Sequence, residues 1–337
     1  MNQPVSSIAI RRYGGNPVLT GKQVPYPSSL TYNAGVAKFQ GRYVMVFRND
    51  GGITQEDVDA GRSNPWAFKT TIGLAFSEDG LRWTVAPKPC FEMSSPDGEI
   101  SRAYDPRLTV IDGRVYMCFA VDTVHGVRGG IAVTDDFERF EVLHLTVPDN
   151  RNMVLFPETI GGRYVRLERP FPVYSRGGKD RFDIWMSDSP DLRYWGNSNL
   201  VLGVEHVPYA NDKIGPAAPP VRTKKGWLTT FHAVDRDDTG RGKNGWETKW
   251  TKRYTAGIML LDLDDPSRVV GMSKEPLIAP EAEYETKGGY RNDVIFPGGM
   301  ILEPDGEVKI YYGCADSVEC LVTAHVDDLV RLCTEPR

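Results

Sequence analysis

Long apolar runs are missing from this 337-residue chain. No segment approaches the ~20 apolar residues of a membrane-spanning helix, and Met1 to Arg11 holds no apolar stretch of signal-peptide length. No membrane partner is expected, and the protein is read as soluble and cytoplasmic. Helical periodicity is equally scarce; only Asp327 to Leu332 suggests a short terminal turn. Cys90, Cys118, Cys314, Cys320 and Cys333 are odd in number and form no CxxC pair. They suggest neither a disulfide framework nor a zinc cage, and are read as reduced, mostly buried thiols. The five histidines show no HxxxH or HExxH spacing, so no metal is expected. There is no GxSxG elbow and no cysteine flanked like a nucleophile. A net charge of -5 argues against a nucleic-acid partner, which needs a basic field to displace counterions from phosphates. No low-complexity tract or flexible linker divides the chain.

What the chain has in quantity is short strands. Five segments share a pattern: a turn carrying glycine, a run of aromatic and β-branched residues, then a polar end. They are Gly41–Arg48, Gly113–Ala120, Gly162–Arg169, Gly226–His232 and Gly306–Gly313. Each reads as a strand entered through a hairpin turn. A second element follows at similar intervals, in Ala75–Trp83, Ala132–Phe140 and Trp185–Trp195, with looser copies at Leu261–Pro266 and Ala324–Leu329. Each is a strand end, an acidic turn and an apolar landing. The opening glycines, at 41, 113, 162, 226 and 306, fall 72, 49, 64 and 80 positions apart. A repeat of this size built only of strands and turns points to an all-β fold, a five-bladed β-propeller. A β-sandwich is the alternative that the irregular spacing leaves open. In a propeller, polar residues at equivalent strand ends converge on one mouth. Arg48, Arg169 and His232 occupy such ends, with Asp122 and Asp316 just beyond two others.

The chemistry-bearing stretch is Ala103-Tyr104-Asp105-Pro106-Arg107-Leu108-Thr109. Pro106 disfavours helix at Asp105 and cannot donate to a sheet ladder, so the carboxylate is expected at a strand entrance in extended geometry, a rigid place for a proton donor. Taken alone, Asp-Pro before a strand is also ordinary turn chemistry. Between 148 and 232 lie Arg151, flanked by two asparagines, then Arg169, Lys213 and His232. Singly these are surface charges or ion-pair partners. Clustered on repeat-equivalent edges, two guanidiniums, an ammonium and an imidazole suit an inorganic phosphate dianion. The loop Asp235 to Arg253 contains a literal GxGxxG, but no βαβ unit surrounds it and a dinucleotide site is rejected. It reads as a rim, with Trp246 and Trp250 available to stack on a sugar or to pack against a second subunit of a homo-oligomer.

At this point the chain resembles glycoside hydrolase family 130, the five-bladed β-mannoside phosphorylases and related mannosidases. The resemblance runs from Tyr32-Asn33-Ala34-Gly35-Val36 through Tyr104-Asp105-Pro106-Arg107, Asn150-Arg151-Asn152, Arg169-Pro170, Lys213-Ile214-Gly215 and Phe296-Pro297 to Tyr311-Tyr312-Gly313-Cys314-Ala315-Asp316. It implies that residues 1–337 form one catalytic propeller with short terminal extensions. It implies that Asp105 is the general acid of an inverting phosphorolysis releasing α-mannose 1-phosphate from a terminal β-mannosyl unit, with its proton relayed through the sugar's 3-hydroxyl. Arg151, Arg169, Lys213 and His232 match the family's phosphate-binding positions. Asn33, Arg48 and Asp316 look like mannose ligands, with Tyr104, His125 and Asn152 nearby. No cofactor is implied; inorganic phosphate is the cosubstrate. Ordinary inverting hydrolysis needs a second carboxylate to activate water, whereas phosphate brings its own nucleophilic oxygen and needs a cationic clamp. An inverting β-mannosidase of the same fold and a non-catalytic sugar-binding or scaffolding propeller are the alternatives. Met153, the loop Phe171 to Arg181 and Val127-Arg128 depart from the mannosylglucose-type members and are expected to shape the acceptor side.

Overall fold

A computed structural model describes residues 5–52, 57, 69–172, 182–236 and 252–335. Trp246, Trp250 and the GxGxxG glycines lie outside the described residues, as does most of the Phe171 to Arg181 loop.

After a short strand β1 (Arg11–Arg12), the chain lays down five antiparallel sheets in sequence order. The first is β2 (Leu30–Phe39), β3 (Arg42–Gly51), β4 (Lys69–Ser77) and β5 (Thr84–Val85). The second is β6 (Ile100–Ile111), β7 (Arg114–Thr123), β8 (Gly126–Thr134) and β9 (Glu141–Leu145). The third is β10 (Asn150–Leu155), β11 (Tyr164–Pro170), β12 (Ile184–Ser189) and β13 (Gly196–Leu202). The fourth is β14 (Lys213–Pro216), β15 (Val221–Arg222), β16 (Trp227–Arg236), β17 (Lys252–Leu261) and β18 (Val269–Met272). The fifth is β19 (Ile295–Leu302), β20 (Glu307–Cys314) and β21 (Val318–His325). Its outermost strand is β1, which pairs with β21 and closes the ring. The fold is the expected five-bladed propeller.

The glycine-opened repeats are the second strand of each blade, not the innermost. Gln40-Gly41 and Asp112-Gly113 supply the left-handed backbone of two-residue hairpins, at φ 50° and 81° and at φ 49° and 76°. In the first four blades the second repeat is the turn from third to fourth strand, and in the fifth it leads from β21 into the helix Val326–Thr334. In the first two of these turns Asp79 Oδ1 accepts from the N–H groups of Leu81 and Arg82, and Asp136 Oδ1 from those of Glu138 and Arg139. These N–H donors favour the charged form and hold both carboxyls below the usual range.

The near-continuous apolar runs follow from the packing. Each blade has neighbours on both faces, so alternate residues of one strand serve two cores. On β7, Val115, Met117 and Phe119 pack against Val44 and Val46 of the first blade, whereas Tyr116 and Cys118 face Met153 and Leu155 of the third. On β3, Met45 and Phe47 turn instead to Tyr311 and Leu321 of the fifth. Two further cores join the third blade to the fourth and the fourth to the fifth. The helix Val326–Thr334 exceeds the expected terminal turn and buries Leu329 and Cys333 in the last of these. Four cysteines are buried and Cys90 is half-buried; all are free thiols.

Candidate active site

The inner strands β2, β6 and β10 each carry a bulge at the corresponding place: between Tyr32 and Gly35, Tyr104 and Arg107, and Arg151 and Val154. The extra residue takes left-handed backbone in all three, with φ 53° at Asn33, 52° at Asp105 and 59° at Asn152. A bulge bends the strand and re-aims one side chain. Here it selects Asn33, Asp105 and Asn152. The expectation of extended geometry at a strand entrance is therefore corrected: Asp105 lies well inside β6, in a left-handed bulge. Pro106 fits there because a bulge leaves a ladder position unpaired, so its missing N–H costs nothing.

Asp105 is held from the first blade. Its Oδ1 accepts from Asn33 Nδ2 at 2.9 Å and faces Arg48 Nη1 at 3.6 Å. Arg48 is fixed in turn by Asp50, Nη2 to Oδ2 at 2.8 Å, and Asp50 also accepts from Tyr32 Oη at 2.8 Å. The second blade repeats this device: Tyr104 Oη and Arg102 Nε both donate to Asp122 at 2.8 Å. The Arg48 guanidinium lies 4.9 Å from the Tyr32 ring centroid and 5.0 Å from that of Tyr104. Asp316, left-handed at φ 48°, accepts from Arg291 Nη1 at 3.1 Å. Burial pushes its carboxyl up, opposed by Arg291 and Arg48 and assisted by the charge of Asp105.

Cations gather on the third and fourth blades. Arg151 Nη1 donates to Tyr104 Oη at 3.1 Å, and Arg169 Nη1 donates to His232 Nε2 at 2.9 Å. Because a guanidinium only donates, this contact makes Nε2 an acceptor and puts the imidazole proton on Nδ1. Burial, then Arg169, Lys213, Arg107 and Arg151, press His232 well below its ordinary value, consistent with a neutral ring. Lys213 is pushed down by burial and then by Arg169, Lys252 and Arg151. Arg151 Nε, Arg169 Nε and His232 Nδ1 are buried with no hydrogen-bond partner among the described residues. Aromatic faces wall the group: Arg169 lies 5.5 Å from Phe171 and 5.4 Å from Phe182, Lys213 lies 5.4 Å from Tyr254, and the rings of His232 and Phe296 are 4.7 Å apart. Like charges crowded in a water-poor wall repel. An entering anion would relieve them.

Most of the expected residues therefore meet. Asn33, Arg48, Tyr104, Asp105 and Asp316 form one group, and Arg151, Arg169, Lys213 and His232 the adjoining one, joined through Tyr104. Asn152 holds the third bulge. His125 sits in the exposed turn between β7 and β8, where its backbone N–H donates to Thr123 Oγ1 at 3.2 Å. Sequence reasoning missed Asp50, Phe182, Tyr254 and the buried pair Arg107 and Glu319. Asp50 alone left a trace, two positions after Arg48 as Asp122 is two after Ala120.

Fold and site together set one carboxylate, Asp105, beside a crowded group of buried cations on the inner strands of a five-bladed propeller. The chain belongs to the glycoside hydrolase 130 family of β-mannoside phosphorylases, which are glycosyltransferase-type enzymes: residues 10–335 match the family described as β-1,4-mannooligosaccharide phosphorylase. It is 32% identical over 334 residues to the β-1,4-mannooligosaccharide phosphorylase of Ruminococcus albus, across 95% of this chain and 90% of that protein. It is 33% identical over 247 residues to a β-1,2-mannobiose phosphorylase of Listeria innocua, across 73% of this chain and 64% of the relative. The structure of β-1,2-mannobiose phosphorylase from Listeria innocua, in complex with β-1,2-mannobiose, superposes with a TM-score of 0.80 at 27% identity, covering 96% of this chain and 99% of that one.

Proposed function

We propose that this protein cleaves the terminal β-mannosyl unit of β-mannosides with inorganic phosphate, inverting the anomeric centre to give α-mannose 1-phosphate. A phosphate oxygen forms a bond to C1, the glycosidic C1–O bond breaks, and its electron pair stays on the departing oxygen. That oxygen gains a proton from Asp105 by way of the sugar's 3-hydroxyl. Arg151, Arg169 and Lys213 hold the phosphate, and His232 orients Arg169. Asn33, Arg48 and Asp316 hold the mannosyl unit, with Tyr104, Asn152 and His125 beside it.

The observation that supports this reading is the junction of one acid with a cationic group left short of partners. Tyr104 precedes Asp105 in sequence and accepts from Arg151, so the acid and the anion pocket share a wall. Asp105 Oδ1 is already taken by Asn33, so the transferable proton rides on Oδ2. A phosphate dianion nearby disfavours ionised Asp105. Binding of the cosubstrate thus helps to keep the acid loaded.

The test is product analysis with β-1,4- and β-1,2-mannobiose, each with and without phosphate. Mannose 1-phosphate formed only with phosphate is the expected result, and the better substrate assigns the linkage. Free mannose formed equally well without phosphate would make the protein a hydrolase.

A further inference from the structure

Glu319 is a carboxyl with no evident reason to be where it is. It lies on β21, wholly buried, and its Oε2 accepts from Ala34 N–H at 3.1 Å. Its Oε1 has no hydrogen-bond partner among the described residues. A second buried acceptor, Asn33 Oδ1, is also unpartnered. The two share one landmark. Glu319 pairs across the strands with Gly313, so both α-carbons direct their substituents to the same face of the sheet. A Cβ built on Gly313 would stand 2.1 Å from Asn33 Oδ1. The absent side chain at 313 leaves room for the Asn33 amide, and Glu319 reaches the same space from the next strand. Glu319 Oε1 and Asn33 Oδ1 are thus two buried acceptors beside the same glycine, and a hydrogen donated from one to the other would satisfy both.

We infer that Glu319 is a positioning residue for the catalytic acid, its carboxylic O–H donating to Asn33 Oδ1, directly or through one buried water, and thereby turning Asn33 Nδ2 toward Asp105. The inference rests on the reading of Asp105 as the acid. Its support is the paired orphans, the shared Gly313 and the Asn33-to-Asp105 bond of 2.9 Å. Burial also pushes the Glu319 carboxyl well above its ordinary value, with Asp105 in the same direction and Ala34 N–H and Arg107 opposing. Arg107 Nη1 holds the other side of the bulge, donating to Asn33 O at 3.4 Å. Without its anchor the Asn33 amide is free to turn, and Asp105 loses a donor that favours the ionised form. The groups that still face Asp105 are Arg48, Arg107, Arg151, Tyr32, Tyr104 and Asp316.

Glu319→Met removes both oxygens at similar volume, whereas Glu319→Gln keeps a C=O for Ala34 and an N–H for Asn33. Asp105 is titrated without substrate, by infrared difference spectra against Asp105→Asn, and the pH profile of kcat is measured alongside. In Glu319→Met the Asp105 titration and the basic limb of kcat should both move up by about one pH unit, and Glu319→Gln should restore both. An unmoved Asp105 titration in folded Glu319→Met, or an equal shift in Glu319→Gln, would overturn the inference. If Glu319→Met does not fold, the wild-type minus Glu319→Gln infrared difference decides: a protonated carboxyl C=O band at neutral pH is expected, and an ionised one overturns the inference. Because the titration uses no substrate, failure of the phosphorolysis reading would leave it standing.

Discussion

Asn33 and Asp105 lie 72 positions apart, on the innermost strands of adjacent blades, and meet through a 2.9 Å hydrogen bond. Both side chains leave left-handed bulges, and in each blade a Tyr–Asp–Arg group braces the strand beside the bulge. The acid is thus set by the junction of two blades. Its placement is only as good as the fit between them.

Replacing Asp105 by Asn keeps an acceptor for Asn33 and the size of the side chain, but supplies no transferable acid proton. Turnover should fall roughly a hundred- to ten-thousandfold with the melting temperature unchanged. Near-normal phosphorolysis by a folded Asp105→Asn protein would remove Asp105 from its role.

Lys213→Ala is expected to raise KM for phosphate by about tenfold or more, with a much smaller effect on KM for the mannoside. In the phosphate-free protein, removing this ammonium also relieves repulsion from Arg169, Lys252 and Arg151. The apo melting temperature should therefore hold or rise, while stabilisation by added phosphate shrinks. Unchanged phosphate kinetics would exclude Lys213 from the clamp.

His232 is held well below its ordinary value of 6.5. Below pH 6.5 the unfolded chain binds a proton that the folded imidazole refuses, so stability must fall as the pH drops. The slope is at most about 1.4 kcal/mol per pH unit for one such group. His144, lowered to about 4 chiefly by burial, contributes in the same window. Glu319 and Asp316, whose carboxyls are pushed up, contribute with the opposite sign, so the readout is the difference: in denaturant titrations from pH 7 to 5 the wild type should lose stability relative to His232→Gln. An equal slope in the variant would mean that His232 titrates normally.

Gly35 lies where the first and second blades touch. A Cβ there would stand 2.7 Å from both Arg107 Cα and Leu108 N, and backbone cannot step aside as a flexible side chain can. Gly35→Ala should cost about 1–3 kcal/mol and also lower kcat, because the same shift separates Asn33 from Asp105. Chemical denaturation paired with kinetics would check this; lost stability with intact kcat would show that the blades move without disturbing the acid.

How far the sequence could be read depended on how local the determinant was. The hairpins declared themselves through pairs such as Gln40-Gly41 and Asp112-Gly113, because left-handed backbone restricts residue choice at the position itself. The acidic turns at Asp79 and Asp136 did so through their own backbone donors. Asp105 was legible by its neighbours, but its conformation was not: Pro106 pointed to extended geometry, and the bulge came from register against β7. Glu319 gave no signal at all. On paper it is one acidic residue in an apolar strand.

The sequence by itself determined that the chain is all-β and that it repeats five times, and it singled out the acid and the cations that the structure brings together. Strand alternation, turn residues and motif order are written within a few residues of where they act. Only the tertiary structure decided which strand of each blade faces the channel, that β1 closes the fifth blade from the far end of the chain, and that His232 accepts from Arg169 as a neutral ring. It alone brought Asn33 to Asp105 and Glu319 to the backbone of Ala34. These depend on register and on contact between blades, where partners tens to hundreds of residues apart meet through packing that no local pattern records.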